Sequence, residues 1–302
     1  MWFIFALVTA LAWGGADLFY KKGTDPKDKF SHLKIVVMVG LVMGIHGTFY
    51  MLLKGIQFDP MDMLLYLPVS ALYILSMAIG YIGLRYLELS IASPVQNSSG
   101  AITTILLFIF FTHSLSALEI ISIIIITLGV IGLAVFEKQM EKQVLQVNPK
   151  TIDTKYTIGF MAIIFPILYA LIDGLGTFAD AVYLDELSLI GEDAALLAYE
   201  FTFFICAVVA FVYLKAIKKV PFNIFKERDK TSAAILETIG QFFYVFAMSS
   251  NAIIAAPIIA SYSIFSVLLS RIFLKEKLTK KQYAVIIVVI VGIALLGIAD
   301  EL

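Results

Sequence analysis

Residues 2–20 read WFIFALVTALAWGGADLFY, and this stretch decides what kind of fold the chain adopts. As an α-helix it would be about 28 Å long, which matches the hydrocarbon thickness of a bilayer. Asp17 lies near its end, and an acid inside a membrane helix usually faces protein or a water-filled cavity. Gly14 and Gly15 let a neighbouring helix or a ligand approach the backbone closely. The stretch therefore predicts a membrane-spanning helix that contributes to a binding site.

The composition indicates that the whole chain is solvated by lipid. Of the 302 residues, 61% are hydrophobic and only 15% are charged, which is more apolar surface than a soluble domain can cover. No basic patch interleaved with aromatic residues is present, so we expect no nucleic-acid partner. Cys206 is the only cysteine, which excludes disulfides within the chain and zinc or redox spacing. We expect no metal and no cofactor.

The apolar runs fall into ten segments, each about long enough to cross a bilayer. The first lacks the charged region and cleavage site of a signal peptide, so we expect it to be retained. The joints between the segments are polar, and all are short except those at 137–156 and 215–230. The predicted spans are residues 2–20, 33–53, 63–86, 91–111, 117–136, 157–183, 193–214, 231–249, 253–274 and 282–299. The sequence thus predicts an all-α membrane protein with ten transmembrane helices.

The second half of the chain repeats features of the first. The separation between Pro94 and Pro257 recurs in other matching pairs, which are Tyr81 and Tyr244, Ala92 and Ala255, Ser98 and Ser261, and Gly129 and Gly292. We expect two five-helix repeats, residues 1–140 and 156–302, with a polar joint at 141–155. Because five is an odd number of spans, the second repeat would be inverted relative to the first, as in many secondary transporters.

Positive charge is distributed unevenly among the joints. The joint at 112–118 has no Lys or Arg, whereas its counterpart carries Lys275, Lys277, Lys280 and Lys281. Lys and Arg favour the cytoplasmic side of a membrane. The different positive charge of these two equivalent joints therefore agrees with an inverted second repeat. Basic residues mostly follow odd-numbered segments. We therefore expect the odd-numbered joints in the cytoplasm and both termini outside.

Two acids occupy equivalent places in the two halves. Asp17 and Asp173 have the same separation as Ala6 and Ala162. Acids within membrane spans usually mark ion or substrate sites, and a cavity with carboxylates and few cations would favour a cation or carry protons. The alternative, in which these acids lie in the headgroup layer, stays open at this stage.

Other polar and aromatic side chains in the spans complete the candidate site. The predicted substrate-binding residues are Trp13, Asp17, Asn97, Ser98, Tyr169, Asp173, Glu237, Gln241 and Tyr262. The Trp13 and Tyr169 rings would form walls, while the amides and hydroxyls of this set would orient the substrate. The candidate coupling residues are Asp17, Asp173 and Glu200. Asp180, close to a helix end, and His46, among small residues, are equally compatible with structural roles.

Three motifs resemble the EamA branch of the drug/metabolite transporter superfamily. They are Ala12-Trp13-Gly14 in the first segment, Ala92-Ser93-Pro94 before the fourth, and the phrase RIFLKEKLT at 271–279. The resemblance covers nearly the whole chain and implies a ten-helix carrier. It does not imply a substrate, because the family handles amino acids, sugars, nucleosides, amines and drugs. Three departures are Tyr169, where the family often has tryptophan, the loop around His113, which lacks the usual Glu, and Asp17, which stands in place of an uncharged residue.

These observations predict a multi-pass protein of the cell membrane that transports a small polar metabolite by alternating access. The intramembrane acids leave a cationic substrate and proton coupling open, and a sugar, nucleoside or amino-acid permease is the alternative within the same superfamily. An intramembrane aspartyl hydrolase would need Asp17 and Asp173 to share a proton at about 3 Å. A non-transporting receptor is the third class. We predict no enzyme activity and no P-loop pump, with a small-molecule substrate and lipid as partners, and either a monomer or a homodimer.

Overall fold

All regular elements in the described part of the chain are helical. In this computed structural model residues 1–25, 27–147 and 162–299 are described, with 134–147 described by their backbone alone. The predicted polar joint at 141–155, the end of the fifth predicted segment and the start of the sixth fall outside that description in whole or in part. The fold therefore rests on the helices on either side of this joint.

The helices, in chain order, are α1 (Trp2–Gly23), α2 (Ser31–Lys54), α3 (Pro60–Leu65), α4 (Leu67–Gly83), α5 (Leu89–Asn97), α6 (Ser99–Phe110), α7 (Ala117–Val147), α8 (Ile164–Ala181), α9 (Glu192–Val212), α10 (Arg228–Ala260), α11 (Tyr262–Leu269) and α12 (Lys280–Ala299). Short π-helical turns extend three of them, at Val182–Glu186, Tyr213–Ile217 and Ser270–Leu274.

The boundary between α2 and α3 shows how local sequence sets the ends of these helices. Gly55 follows α2 in the left-handed conformation, with φ of 65°, which glycine adopts at little cost. Asp59 then accepts a hydrogen bond from the backbone N–H of Met61 at 2.9 Å, and Pro60 occupies the first helical position. These are the usual stop and start signals of helices.

Six helical stretches are long and apolar enough to cross a membrane among the described residues. They are Trp2–Gly23, Ser31–Lys54, Ile164–Glu186, Glu192–Ile217, Arg228–Leu274 and Lys280–Ala299. The fifth is 47 residues long and contains an extended residue, Asn251, so it consists of two helices joined at a kink. Fewer than ten such stretches result for three reasons. The predicted segments 63–86 and 91–111 are broken into shorter helices at Tyr66 and Ser98, segments 231–249 and 253–274 lie in one stretch, and segment 117–136 is fully described only as far as residue 133.

The helices pack in a set of pairs that links the two halves of the chain. α1 packs along α10 and α11, while α8 packs along α4 and α6. α2 packs against α9, and α7 packs against α12. Nearly every large interface therefore joins a helix before the 141–155 joint to a helix after it.

Polarity is arranged in the opposite sense to that of a soluble protein. Large apolar side chains face outwards, as with Phe49 at 63% and Ile109 at 68% exposure. Polar side chains are buried instead, including Asp17, Glu200 and Glu237. A lipid-facing exterior explains the first observation, and internal hydrogen bonding must explain the second.

The α2–α9 interface depends on a glycine and provides a test of the packing. A Cβ atom on Gly40 would lie 2.4 Å from the carbonyl oxygen of Phe203, which cannot move without shifting α9. We expect Gly40→Ala to lower the free energy of unfolding by about 1–3 kcal/mol, as overpacking does elsewhere. Thermal unfolding of the detergent-solubilised protein measures the change.

Gly132→Ala is the matched control, since a Cβ atom at Gly132 would meet nothing within 4 Å. Helix propensity should make this variant neutral or more stable by up to about 1 kcal/mol. Equal melting temperatures for the two alanine variants would contradict the packing described for α2 and α9.

Candidate functional site

A cavity lies between the two halves of the chain, and the space free of protein atoms there, open solvent included, is about 800 Å³. Its lining comes from α1, α4, α5, α6, α8, α9, α10 and α11, whereas the α7–α12 pair contributes no lining residue. The residues predicted from sequence that line it are Trp13, Asp17, Asn97, Tyr169, Asp173, Glu237, Gln241 and Tyr262. Ser98 lies outside the lining, and its hydroxyl donates to the carbonyl of Val95 at 2.6 Å, while its neighbour Ser99 lines the cavity.

Asp17 joins three helices at the cavity wall. Its side chain is only 7% exposed, and its Oδ2 atom accepts hydrogen bonds from Ser93 Oγ at 2.6 Å and from Ser266 Oγ at 2.7 Å. Ser93 belongs to α5 and Ser266 to α11. The approach of α1 to α11 requires Gly14, because a Cβ there would lie 2.7 Å from that of Phe265. The small residues beside Asp17 thus allow its hydrogen bonds to form.

Asp173 has a similar setting on α8. Its Oδ1 atom accepts a hydrogen bond from Ser76 Oγ of α4 at 3.3 Å. The following residue, Gly174, accepts a hydrogen bond from Thr103 Oγ1 of α6 at 3.1 Å. Asp17 and Asp173 are therefore held by different sets of side chains, unlike the carboxyl pair of an aspartyl dyad, which shares one proton.

An aromatic ring stands one helical turn before each of these acids, and each ring covers a glycine of the opposite half. A Cβ on Gly240 would lie 2.4 Å from Trp13 Cδ1, and Trp13 Nε1 donates to the carbonyl of Glu237 at 3.3 Å. A Cβ on Gly80 would lie 2.7 Å from Tyr169 Cδ2. The glycines therefore create the space that the two rings occupy.

The cavity wall is aromatic and acidic. Seven of the chain's 14 tyrosines line it, namely Tyr20, Tyr73, Tyr81, Tyr169, Tyr199, Tyr244 and Tyr262. The Trp13 ring centroid lies 5.1 Å from that of Tyr244 and 5.8 Å from that of Tyr262. Three carboxyls, those of Asp17, Asp173 and Glu237, complete the wall, and no Lys, Arg or His is among the lining residues.

Five of these tyrosines, Tyr20, Tyr73, Tyr81, Tyr199 and Tyr244, were not predicted as site residues. Tyr20 Oη donates to Glu237 Oε2 at 3.2 Å. Tyr73 and Tyr244 hydrogen-bond to each other through their hydroxyls. A signal was available in the sequence, since Tyr244 recurs at the repeat separation from Tyr81, which also lines the cavity.

Asp180 lies behind the tyrosine wall. It is fully buried and accepts a hydrogen bond from Tyr66, and Tyr73 Oη lies 3.5 Å from its Oδ2 atom. The sequence had placed this acid near the end of a span. Its contacts give it a role in holding two tyrosine hydroxyls.

Glu200 lies away from the cavity, between α2 and α9. It is fully buried, and its Oε1 atom lies 2.8 Å from Nδ1 of His46. A Cβ on Gly47 would lie 2.8 Å from Glu200 Oε2, so the glycine makes room for this pair. Of the three predicted coupling residues, Asp17 and Asp173 therefore line the cavity, whereas Glu200 lies outside it and pairs with His46.

Two equivalent helix starts are held by carboxylates. Glu276 accepts hydrogen bonds from the backbone N–H groups of Leu89 at 3.1 Å and Ser90 at 2.9 Å, where α5 begins. Ala252, which follows the kink in α10, donates its backbone N–H to Asp185 Oδ2 at 2.8 Å. Leu89 and Ala252 have the same separation as Pro94 and Pro257. Carboxylates in such positions satisfy free N–H groups and the helix dipole.

The loop that departs from the family pattern is part of this arrangement. At the repeat separation, His113 is the counterpart of Glu276. His113 Nε2 lies 2.7 Å from Glu186 Oε1, next to the residue that caps Ala252. Asp185, from the π-helical turn that extends α8, therefore makes the contact that a Glu at position 113 would have been expected to make.

Comparison with known proteins agrees with this architecture. The sequence model described as the EamA-like transporter family matches residues 1–135 and 159–298. Among 27 matching chains of solved structures, one described only as "Crystal structure of protein" has a TM-score of 0.60 at 11% identity, covering 96% of this chain and 98% of that one, which shows a common fold. The search of curated proteins gives no match. With the family model matching both halves, and with several helices apolar enough to span a bilayer, the chain belongs to the EamA-like transporter family of multi-pass membrane proteins.

Proposed function

We propose that this protein is a secondary transporter that carries a small organic cation across the cell membrane by alternating access. The observation that carries the proposal is the cavity between the halves, whose wall has three carboxyls, eight aromatic rings and no basic side chain. Membership of a transporter family supplies the general activity. The chemistry of the wall supplies the substrate class.

The argument for a cation is electrostatic. A carboxylate out of water is costly unless an opposite charge or several hydrogen bonds stabilise it. The serines and tyrosines around Asp17, Asp173 and Glu237 donate hydrogen bonds but cannot neutralise them. A cation does so, and the faces of Trp13 and the surrounding tyrosines attract it further. A neutral sugar or an anion would leave the acids unpaired.

The proposal includes ten spans arranged as two inverted halves. The broken helices α3–α4 and α5–α6 would each form one span, and the kinked stretch Arg228–Leu274 would form two. Exchanging the halves turns the α1–α10 contact into the α8–α4 contact, and the α1–α11 contact into the α8–α6 contact. The α2–α9 and α7–α12 contacts map onto themselves. This symmetry of packing, together with five spans per half, supports inversion.

Contacts between the halves would act as the gates of the cavity. Glu276, from the second half, holds the start of α5 in the first half, whereas His113, from the first half, pairs with Glu186 in the second. Under inversion these two contacts lie at opposite membrane faces. Rocking of one half against the other would then break one contact while keeping the other.

The cavity acids provide the direct test of substrate class. Asp17→Asn and Asp173→Asn keep the side-chain volume and should insert normally, but uptake of an organic cation into proteoliposomes should fall at least tenfold. Losing one partner of a buried charge pair costs about 3–5 kcal/mol, and about 1.4 kcal/mol is already a factor of ten. Uptake of labelled alkylammonium compounds across a pH series measures the effect.

Asp229→Asn is the matched control, because Asp229 is exposed at the start of α10. It should transport at the rate of the unaltered protein. Unchanged transport in both cavity variants, with normal insertion, would show that Asp17 and Asp173 only hold helices together.

The two gate contacts should bias access in opposite directions. In a Cys206→Ser background, Ala256→Cys places a single thiol on the cavity wall. Adding Glu276→Gln should raise labelling of that thiol by an impermeant maleimide from one membrane face, because the cap on α5 is weakened. Adding Glu186→Gln should raise labelling from the other face.

Labelling of oriented vesicles from each side separates the two cases. An increase from the same face in both variants would contradict two gates on opposite sides. The Ala256→Cys protein without a gate substitution provides the baseline for each face.

The proposed transport cycle also includes proton coupling, which can be tested at Glu200, outside the cavity. If the His46–Glu200 pair carries the coupling proton, Glu200→Gln should abolish the acceleration of uptake by an imposed pH gradient. Exchange of labelled for unlabelled substrate should continue, since the cavity is intact. His46→Gln should reproduce this pattern. Loss of exchange and stability in both variants would assign the pair a structural role instead.

A further inference from the structure

The cavity contains two half-sites of the same design. On α1, Trp13 precedes Asp17 by one helical turn, and on α8, Tyr169 precedes Asp173 by one turn. All four side chains line the cavity. The two pairs also share one separation in the chain, that of Ala6 and Ala162. Each half of the protein thus presents one such pair of ring and carboxyl to the same space.

Each half-site is built independently of the other. Asp17 is held by Ser93 and Ser266, whereas Asp173 is held by Ser76. The two rings are also supported separately, because Trp13 packs over Gly240 and Tyr169 packs over Gly80. Two carboxylates carry two negative charges, and a monocation can balance only one of them.

Apolar surface is available in the same cavity. Met77, Ile259 and Ala260 line it, together with the faces of the remaining tyrosines. Methylene groups of a ligand would bury against this surface. The wall therefore offers both carboxyls and apolar surface to one ligand.

We propose that the substrate is a linear α,ω-diammonium compound, a dication whose two ends occupy the Trp13–Asp17 and Tyr169–Asp173 half-sites. The inference rests on the proposed function and narrows it from organic cations in general to diamines. A ligand with two like ends fits a site with two like halves, and its methylene chain packs on the apolar part of the cavity wall. Glu237 has no acidic counterpart at the repeat separation, where the first half has Ile74, so it lies outside the paired design.

Binding measurements on the purified full-length protein test the proposal without any substitution. The probes are α,ω-diaminoalkanes from diaminopropane to diaminooctane and the n-alkylamines of the same chain lengths. We expect the best diamine to bind at least tenfold more tightly than its monoamine, since the second ion pair adds at least about 1.4 kcal/mol. Isothermal titration calorimetry in detergent gives both affinities.

The two acids should contribute equally to the preference. Asp17→Asn and Asp173→Asn should each lower diamine affinity to about that of the matching monoamine for the unaltered protein. Asp229→Asn should bind diamines as the unaltered protein does. Loss of the preference in only one of the two cavity variants would overturn the two-ended arrangement.

The remaining outcomes separate this inference from the proposed function. Equal affinity for monoamines and diamines, with both transported, overturns the diamine inference and leaves a cation transporter. Tighter binding of a triamine than of any diamine also overturns it, because Glu237 would then take a third ammonium group. Transport of a neutral solute with no transport of any amine overturns both. These comparisons use the unaltered protein and stay decisive if a variant fails to fold.

Discussion

The paired hydrogen bonds from Ser93 and Ser266 to Asp17 are the interaction on which the rest of the site depends. A charged side chain near the centre of a bilayer costs about 2.5–3.5 kcal/mol on insertion scales, so the fold must surround it with partners. Here the partners come from α5 and α11, one helix in each half. The same contact that stabilises the acid therefore fixes α1 between the halves and places the cavity wall.

Much of this site could be predicted because the chain repeats itself. Asp17 and Asp173, with Trp13 and Tyr169, are recognisable from sequence since chemistry-bearing residues recur at one separation inside apolar spans. The cavity tyrosines could not be identified in the same way. An isolated Tyr such as Tyr73 in an apolar helix suits the membrane interface as well as a cavity. Only the direction in which its helix faces distinguishes the two, and no periodicity in an entirely apolar helix reveals that direction.

The parts that sequence could not supply are contacts between distant residues. Glu200 is an acid in a span, and its sequence gives no sign that His46, on another helix, would take it out of the cavity. The helix breaks at Tyr66 and Ser98 could not be predicted either, because both interrupt runs of uniform hydropathy. At the kink, a break predicted between residues 249 and 253 is reduced to the single residue Asn251. The backbone group that follows is satisfied by Asp185, which no local pattern indicates.

The places where the halves differ bear on the direction of transport. In an inverted-repeat carrier with identical halves, the inward- and outward-facing states would be related by symmetry and equal in free energy. This chain departs from that symmetry at its proposed gates, where Glu276 caps a helix directly and its counterpart His113 instead pairs with Glu186. It departs again at Glu237, opposite Ile74. Unequal gate contacts give the two states unequal free energies, and a difference of about 1.4 kcal/mol already makes one state tenfold more populated. The symmetric half-sites would then determine what is bound, while the asymmetric gates would determine the side from which it is most readily bound.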